Sequence, residues 1–309
     1  MKAIVYTKYD PPNVLQLMDV PKPEPKKNQV LIKVYAASIN ALDYRNLGSV
    51  GKTLGADIAG VVEAVGSSIK QFQPGDEVFG VSTGSVGGFA EYSCADETRV
   101  ARKPLNLTFE AAAAIPVAAL TALQGLRDKG QIRPGQTVLI NGASGGVGTF
   151  AVQIAKSFGA EVTAVCSERN MEMASSIGAD HVIDYAKEDF TQGDQRYNLI
   201  FAVNGFHPLS AYQRALTPQG RYVCAGGTLP QILQALLLGL FMSRKNGKKM
   251  GFMGIAKINW KDLVYLKELI EAGKIVPVIE KNYPLSEVPS AMRYVAEEHA
   301  RGKIVVQVV

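Results

Sequence analysis

The sequence predicts an α/β protein: a strand-rich first part, then a doubly wound parallel sheet covered on both faces by helices. Three observations predict it. From residue 137 onward, short β-branched runs alternate with helical stretches, which is the signature of βαβ units. Before residue 108 the apolar residues fall in short Val-, Ile- and Tyr-rich runs closed by Gly and Pro, as in an irregular barrel or sandwich. Between residues 137 and 148 an apolar strand enters a glycine-rich turn that opens a helix. The 309 residues are 47 % apolar and 20 % charged, which excludes disorder and coiled coil, and the length favours two domains over one.

In order, residues 3–6 and 30–36 read as strands, with Pro21, Pro23 and Pro25 breaking the connection between them. A strand at 58–65 is closed by Gly66. The turn Pro74-Gly75-Asp76 leads into a strand at 77–80, and Gly84, Gly87 and Gly88 precede one at 89–94. Residues 109–115 and 118–127 are helical by composition, with Pro116 between them. Strands follow at 137–141, 161–166, 181–184, 199–203 and 221–225, interleaved with helices at 147–158, 170–177 and 211–216. A helix at 261–272 precedes strands at 275–279 and 303–308. The last of these is β-rich like the first third, so the C-terminus is expected to return to that domain. No internal repeat is present.

The net charge of +5 is modest and both signs are interspersed, which suits an anionic, phosphate-bearing ligand. No Lys/Arg block with interleaved aromatics points to nucleic acid. Cys94, Cys166 and Cys224 lie far apart and form no CxxC pair or disulfide framework, so a reducing, cytoplasmic compartment is expected. The strand pattern begins at once after Met1, and no secretory leader is read there. The apolar stretch 229–242 contains Gln231, Gln234 and Gly239 and falls short of the roughly 20 residues of a bilayer span. It is followed by Arg244, Lys245, Lys248 and Lys249. It reads either as a helix and loop lining a substrate cleft or dimer contact, or as an interfacial anchor for peripheral membrane association.

The glycine loop carries the sharpest signal. In Asn141-Gly-Ala-Ser-Gly-Gly-Val-Gly148 the strand–turn–helix context is that of a dinucleotide fingerprint, with Ala143 in place of its first glycine. Gly145 lets the backbone approach a pyrophosphate and Gly148 lets the helix pack closely on the strand. The helix N-terminus offers free N–H groups and the positive end of its dipole. Ser144, Gly145, Gly146, Val147 and Gly148 are therefore expected to hold the phosphates. About 20 residues on, where an NAD site places an acid for the ribose diol, the chain reads Cys166-Ser-Glu-Arg169. Glu168 fits that count loosely, but the apolar strand has ended at Cys166. Ser167 and Arg169 can bond a 2′-phosphate, so NADP is expected over NAD.

The loop resembles that of the zinc-independent quinone oxidoreductase branch of the medium-chain dehydrogenase/reductase superfamily. So do Ser38-Ile-Asn-Ala-Leu-Asp43, Gly55-Ala-Asp-Ile-Ala-Gly60, Pro74-Gly-Asp-Glu-Val78 and Ile177-Gly-Ala-Asp180, in order over nearly the whole chain. The resemblance implies a GroES-like catalytic domain from residues 1–113 and 273–309, a Rossmann domain over 114–272, a nicotinamide cofactor in the cleft and a homodimer. Where zinc-dependent relatives carry the first catalytic Cys, this chain has Asn40. Where they carry a Gly-His-Glu ligand motif, it has Gly55-Ala56-Asp57. With the cysteine-rich structural zinc loop absent as well, no metal is expected. His181, His207 and His299 are scattered and read as structural or exposed.

Without a metal, the expected acceptors are quinones and α,β-unsaturated carbonyls, whose reduction delocalises charge that hydrogen-bond donors can stabilise. The alternatives are a zinc-free NADP-dependent alcohol or ketone reductase, and a non-catalytic NADPH-binding protein. Asn40 is the candidate amide donor to nicotinamide or substrate oxygen, or else an Asx turn after its strand. Tyr44 is a proton or hydrogen-bond donor or a packed aromatic. Asp43 reads as a structural acceptor more than a base. By resemblance, Arg45 lies near the cofactor phosphates and Tyr185 near the adenosine phosphate; a surface salt bridge is the plainer reading of Arg45. Asn204, Gly226 and Gly227 follow the fourth and fifth Rossmann strands at the ligand-binding edge. Lys303 is a further phosphate contact or an edge-strand charge. Relatives have a longer segment than Tyr44 to Leu54 here, which implies a more open site or a piece absent from the chain.

Overall fold

The computed structural model describes residues 1–7, 14–45, 51–243, 247–297 and 300–309, with the backbone alone for Tyr44, Arg45, Ser85, Leu240 and Phe241. The expectations for Arg244, Lys245 and His299, for the side chains of Tyr44 and Arg45 and for the middle of segment 44–54 lie outside the described residues.

The chain opens with β1 (Lys2–Tyr6), β2 (Leu15–Asp19), β3 (Gln29–Ile39) and α1 (Ala41–Arg45). Then come β4 (Asp57–Val65), β5 (Glu77–Val81), β6 (Tyr92–Asp96), β7 (Val100–Arg102), α2 (Phe109–Ala113) and α3 (Pro116–Gln124). The alternating region holds β8 (Thr137–Asn141), α4 (Gly146–Ser157), β9 (Glu161–Cys166), α5 (Met171–Ser176), β10 (His181–Asp184) and β11 (Tyr197–Ala202). It continues through α6 (Leu209–Ala215), β12 (Leu216–Cys224), α7 (Leu229–Leu237), α8 (Gly239–Met242) and β13 (Lys249–Phe252). The chain closes with α9 (Trp260–Glu271), β14 (Ile279–Pro284), α10 (Val288–Glu297) and β15 (Lys303–Gln307).

Two compact units result. The first holds residues 1–120, 257–273 and 277–309, and the second holds 121–256 and 274–276. In the first unit a sheet runs β14-β15-β3-β4-β5-β7, with β6 also on β3, and β1–β2 form a separate antiparallel ribbon. Long β3 is central because nearly every residue of it is buried, so it is flanked by strands and covered on both faces. The C-terminal strand β15 pairs antiparallel with it, Ile304 opposite Ile39. Two apolar clusters fill this unit, one around Phe89, Val288 and Ile304 and one around Ile32, Ile58 and Val78.

The second unit is one parallel sheet in the order β10-β9-β8-β11-β12-β13. Numbered within the unit this is 3-2-1-4-5-6, the doubly wound order, and its direction reverses between β8 and β11. Its core packs Leu139, Val165 and Ile200 with Tyr212 and Tyr222. The uncharged β8, β9 and β11 interiors suit strands covered on both faces.

Two local expectations are corrected. Residues 275–279 are not a strand: Val276 accepts from and donates to the Gln153 side-chain amide, at 3.0 and 2.8 Å, so its backbone has no need of a ladder, and the strand begins only at Ile279. Pro116, expected between two helices, opens the second of them, α3, where its missing N–H costs nothing. The helix does not run to 127 as an α-helix. A π turn over Gly125–Lys129 ends it, with Gly130 N–H donating to Gly125 O at 2.8 Å, where the Phe201 ring leaves no room for a Cβ on Gly125. The units also differ from the boundaries expected at 113 and 272. Helix α9 belongs with the first unit, tied by Leu105 N–H to Glu271 at 2.9 Å and by the Asn106 amide to Ile270 O at 3.1 Å.

Candidate active site

In the first unit the carboxylate of Asp57 lies at the start of β4, fully buried at 0 % exposure. A buried carboxylate needs donors and a counter-charge, and the fold supplies both. Oδ2 accepts from Ser38 Oγ and from Asn40 Nδ2, each at 2.8 Å. Oδ1 accepts from Val117 N–H at 3.0 Å, in the first turn of α3, where the helix dipole also favours an anion. The cation is Lys303, 3 % exposed, whose Nζ lies 3.5 Å from Asp57 Oδ2. That ammonium also donates to Ile39 O at 3.0 Å and to Asn40 Oδ1 at 2.7 Å. Since a lysine only donates and a carboxylate only accepts, the Asn40 amide has one orientation that serves both.

Asp43 completes the cluster. It turns back at the start of α1: its Oδ2 accepts from Asn40 N–H at 2.7 Å, as in one half of a capping box, while its own N–H donates to the Asn40 backbone O at 3.0 Å. Burial pushes its carboxyl up to about 7, the Asn40 N–H opposes this, Asp57 adds to it and Lys303 opposes it. Burial likewise pushes the Lys303 ammonium below its ordinary value, against the upward pull of Asp57 and Asp43.

Asn40, Asp43 and Lys303 are thus brought together, and Lys303 is neither an edge-strand charge nor exposed. It sits on β15 between β14 and β3, its charge turned inward. Every polar contact described for its Nζ lies inside the Asn40–Asp57 cluster or on the Ile39 carbonyl. Asp43 is buried, and its side chain's described hydrogen bond is the one it accepts from Asn40 N–H. Sequence reasoning did not single out Asp57 or Ser38 as site residues. The available signal was a charged residue inside an apolar strand pattern, which requires a buried partner.

In the second unit the glycine loop joins β8 to α4 at the switch point between β8 and β11. The N–H groups of Gly142 and Ala143 donate to Val165 O at 3.2 and 3.0 Å, pinning the loop to the end of β9. Gly148 is a glycine for packing reasons, since a Cβ there would come within 2.1 Å of Gly142 O. Gly145 is different. It is the N-cap of α4 with φ −81° and no side chain to cap the helix, and a Cβ on it would find no atom closer than 3.8 Å. The protein's own packing therefore does not require glycine there, and the bare backbone leaves room for a ligand against the first-turn N–H groups. The residues fit a dinucleotide pyrophosphate.

Asn204 lies beside this loop, its N–H donating to Asn141 O at 3.2 Å. Gly226 and Gly227 follow β12, and both are glycines because Val203 O and the Gln231 side chain stand where a Cβ would go. Ser167 and exposed Arg169 begin the turn after β9, with Asn170 donating to Ser167 Oγ at 3.1 Å. Tyr185, 64 % exposed, follows β10 alongside, its N–H donating to Cys166 O at 3.2 Å. Lys187, which the sequence reading passed over, pairs with Glu168 at 2.6 Å in the same place. Nothing in its polar surroundings distinguishes it until β9 and β10 are paired. The edge between β9 and β10 thus carries Ser167, Arg169, Tyr185 and Lys187, with Glu168 neutralised.

The family model described as "Alcohol dehydrogenase GroES-like domain" matches residues 26–105, and the one described as "Zinc-binding dehydrogenase" matches 177–306. A tomato (Solanum lycopersicum) 2-methylene-furan-3-one reductase is 35 % identical over 99 % of this chain and 79 % of its own. The chain belongs to the quinone oxidoreductase branch of the medium-chain dehydrogenase/reductase superfamily. An Arabidopsis thaliana chloroplastic NADPH-dependent alkenal/one oxidoreductase is 33 % identical over 99 % of this chain and 79 % of its own. The solved quinone oxidoreductase of Coxiella burnetii superposes with a TM-score of 0.89 at 31 % identity, covering 100 % of this chain and 99 % of that one. As expected for the branch, a GroES-like part and a parallel-sheet Rossmann part make up the chain. Among the described residues no helix is long and apolar enough to cross a membrane, and no group of three or more His, Cys, Asp or Glu side chains is placed to hold a metal ion.

Two predictions follow from these geometries. Ala in place of Gly145 leaves stability within about 1 kcal/mol but weakens NADPH binding about tenfold or more, whereas Gly148→Ala costs about 3 kcal/mol or more in a urea melt. Equal effects of the two on stability would remove the distinction. Asp43 has a folded value near 7 against 3.8 when unfolded, so its contribution to stability is full below 3.8 and lost as pH rises through 7. Asp43→Asn therefore gains on the wild type as melts are moved from pH 5 to pH 8; a constant difference between the two proteins would refute the shift.

Proposed function

We propose that the chain is an NADPH-dependent oxidoreductase that reduces quinones or α,β-unsaturated carbonyls without a zinc ion. The observation that carries this reading is the Lys303 ammonium, 2.7 Å from Asn40 and 3.5 Å from Asp57. Asn40 and Asp57 stand where zinc-dependent relatives, by resemblance, carry the first catalytic Cys and the last residue of a Gly-His-Glu ligand motif, whose His position is Ala56 here. One is an amide already bonded at both ends, the other a carboxylate already neutralised, and a fixed positive charge stands between them. Such a donor set does not fit zinc, which takes Cys, His or carboxylate ligands free to bind it.

When bound, the dinucleotide supplies a hydride from its nicotinamide ring. The chain's residues do the rest. Ser144 to Gly148 hold the pyrophosphate through backbone N–H groups. Ser167, Arg169 and Lys187 bind the 2′-phosphate, with Tyr185 beside them; a 2′-hydroxyl makes less use of these charges. Asn204, Gly226 and Gly227 shape the carboxyl edge of the sheet. Asn40 donates an amide hydrogen to the acceptor oxygen, where charge develops. The relatives support both acceptor types, a 2-methylene-furan-3-one reductase and an alkenal/one oxidoreductase on one side and a quinone oxidoreductase on the other. Cys94, Cys166 and Cys224 are free thiols, which supports a reducing, cytoplasmic compartment.

A homodimer is part of the same reading. Strand β13 pairs only with β12 among the described strands, and Leu229, Leu233, Leu236, Leu237 and Leu238 of the neighbouring α7 region are exposed, which together suit a second copy. Light scattering is expected to give twice the chain mass; a monomer at micromolar concentration would remove this element.

The deciding assay follows NADPH oxidation over a panel of quinones and enones, with NADH alongside and products identified. Turnover with C=C reduction of the enones is expected. Reduction at C=O would make the protein a zinc-free ketone reductase, and NADPH binding with no turnover would make it a binding protein. Within that assay Arg169→Ala raises KM for NADPH about tenfold or more while leaving that for NADH nearly unchanged. Equal effects on both would take Arg169 out of the phosphate site.

A further inference from the structure

The shortest contact of the Lys303 ammonium is not with its counter-ion. It lies 2.7 Å from the Asn40 carbonyl oxygen and 3.5 Å from the Asp57 carboxylate. A buried ion pair is weak as a source of stability, because desolvating both charges offsets their attraction. A cation placed on an amide oxygen has a definite chemical effect, however: it draws electron density from the amide nitrogen and makes both of its hydrogens stronger donors. One of those hydrogens goes to Asp57 at 2.8 Å. The other meets the Asp43 carboxyl only weakly, as the least of the influences acting on that group. Ser38, Asp43, Asp57 and Lys303 are all buried, and Asn40 alone of the cluster is half-exposed, so its amide is the cluster's outlet to a ligand.

We propose that Lys303 is a positioning residue for the reduction: its ammonium, seated on Asn40 Oδ1, fixes and polarises the Asn40 amide so that the remaining N–H holds the acceptor oxygen as charge builds on it. The inference rests on the quinone and enone reading given above. During the step the acceptor carbon gains the hydride with its two electrons, the conjugated π pair ends on the oxygen, the dinucleotide leaves oxidised, and solvent delivers the proton. Lys303 keeps its own proton throughout. It thereby supplies, through an intervening amide, the positive charge that a metal ion supplies directly elsewhere in the superfamily.

This role has a signature that a structural cross-link lacks. An enone depends on help at oxygen more than a strongly oxidising quinone, whose anion is delocalised over the ring. In Lys303→Met, kcat for an enone is expected to fall about 100-fold and that for a 1,4-quinone less than about tenfold, with NADPH affinity by fluorescence titration nearly unchanged. Because Lys303→Met strands the Asp57 charge, the double variant Lys303→Met/Asp57→Asn, which removes both charges, is measured beside it. Asn40→Ala, which keeps both charges, must show the same enone-selective loss and decides the matter should neither Lys303 variant give a cooperative melt. Equal losses for the two acceptors, unchanged kcat, or a loss confined to KM for NADPH would overturn the proposal, the last by returning Lys303 to a phosphate role. A wild type that reduces neither acceptor would overturn the functional reading itself, and is told apart because it shows before any variant is made.

Discussion

The first unit is organised by one constraint, the need of a fully buried carboxylate for a cation and donors. Asp57 draws on β3 through Ser38 and Asn40, on the first turn of α3 through Val117, and on β15 through Lys303. Three stretches of chain that are far apart in sequence are therefore held at one point by electrostatics that no apolar contact could replace with the same directionality. The antiparallel pairing of β15 with β3 places Lys303 beside Ile39 and Asn40, and the bond from Asn40 N–H to Asp43 sets the direction in which the chain leaves β3. Any misregister of β15 by one residue would turn Lys303 to the other face and leave the carboxylate unpaired.

The second unit solves a different problem. Its sheet is a stack of parallel strands with uniform apolar interiors, and what it contributes is the edge where those strands end. There the loop after β8 is tied down by Val165 O, which leaves the first-turn N–H groups of α4 directed outward. Neutral packing does the positioning, whereas in the first unit charge does it. Gly148 and Gly145 show the two reasons for glycine side by side, one set by the protein's own backbone and the other by space kept clear.

What could be read from the sequence follows the same division. The alternation of β8 to β12 with helices was legible because each element declares itself by a local apolar period, and the loop Asn141 to Gly148 because its glycines are contiguous. The false strand at 275–279 was not recognisable as such, since the partner of Val276 is a side chain 123 residues away, Gln153. Amphipathic α10 escaped notice behind Pro289, although Val288, Ala291 and Met292 form its buried stripe. Among the site residues Asn40 and Asp43 stood out by their place after an apolar strand. The part played by Lys303 did not, because an isolated lysine in an apolar run reads as a surface charge until the strand that carries it is paired. Lys187 and Glu168 likewise acquire meaning only once β9 and β10 lie side by side.

The bond from Lys303 to Ile39 spans 264 positions of the chain. During synthesis the second unit emerges almost entirely as one continuous stretch, while the first waits for its last strand. Until residues 303–307 leave the ribosome, β3 lacks a neighbour and Asp57 lacks its cation, so the nascent first unit must stay open and its carboxylate wet. A chain that stops before residue 303 would therefore lose the cation of the first unit's buried carboxylate, and not merely one strand.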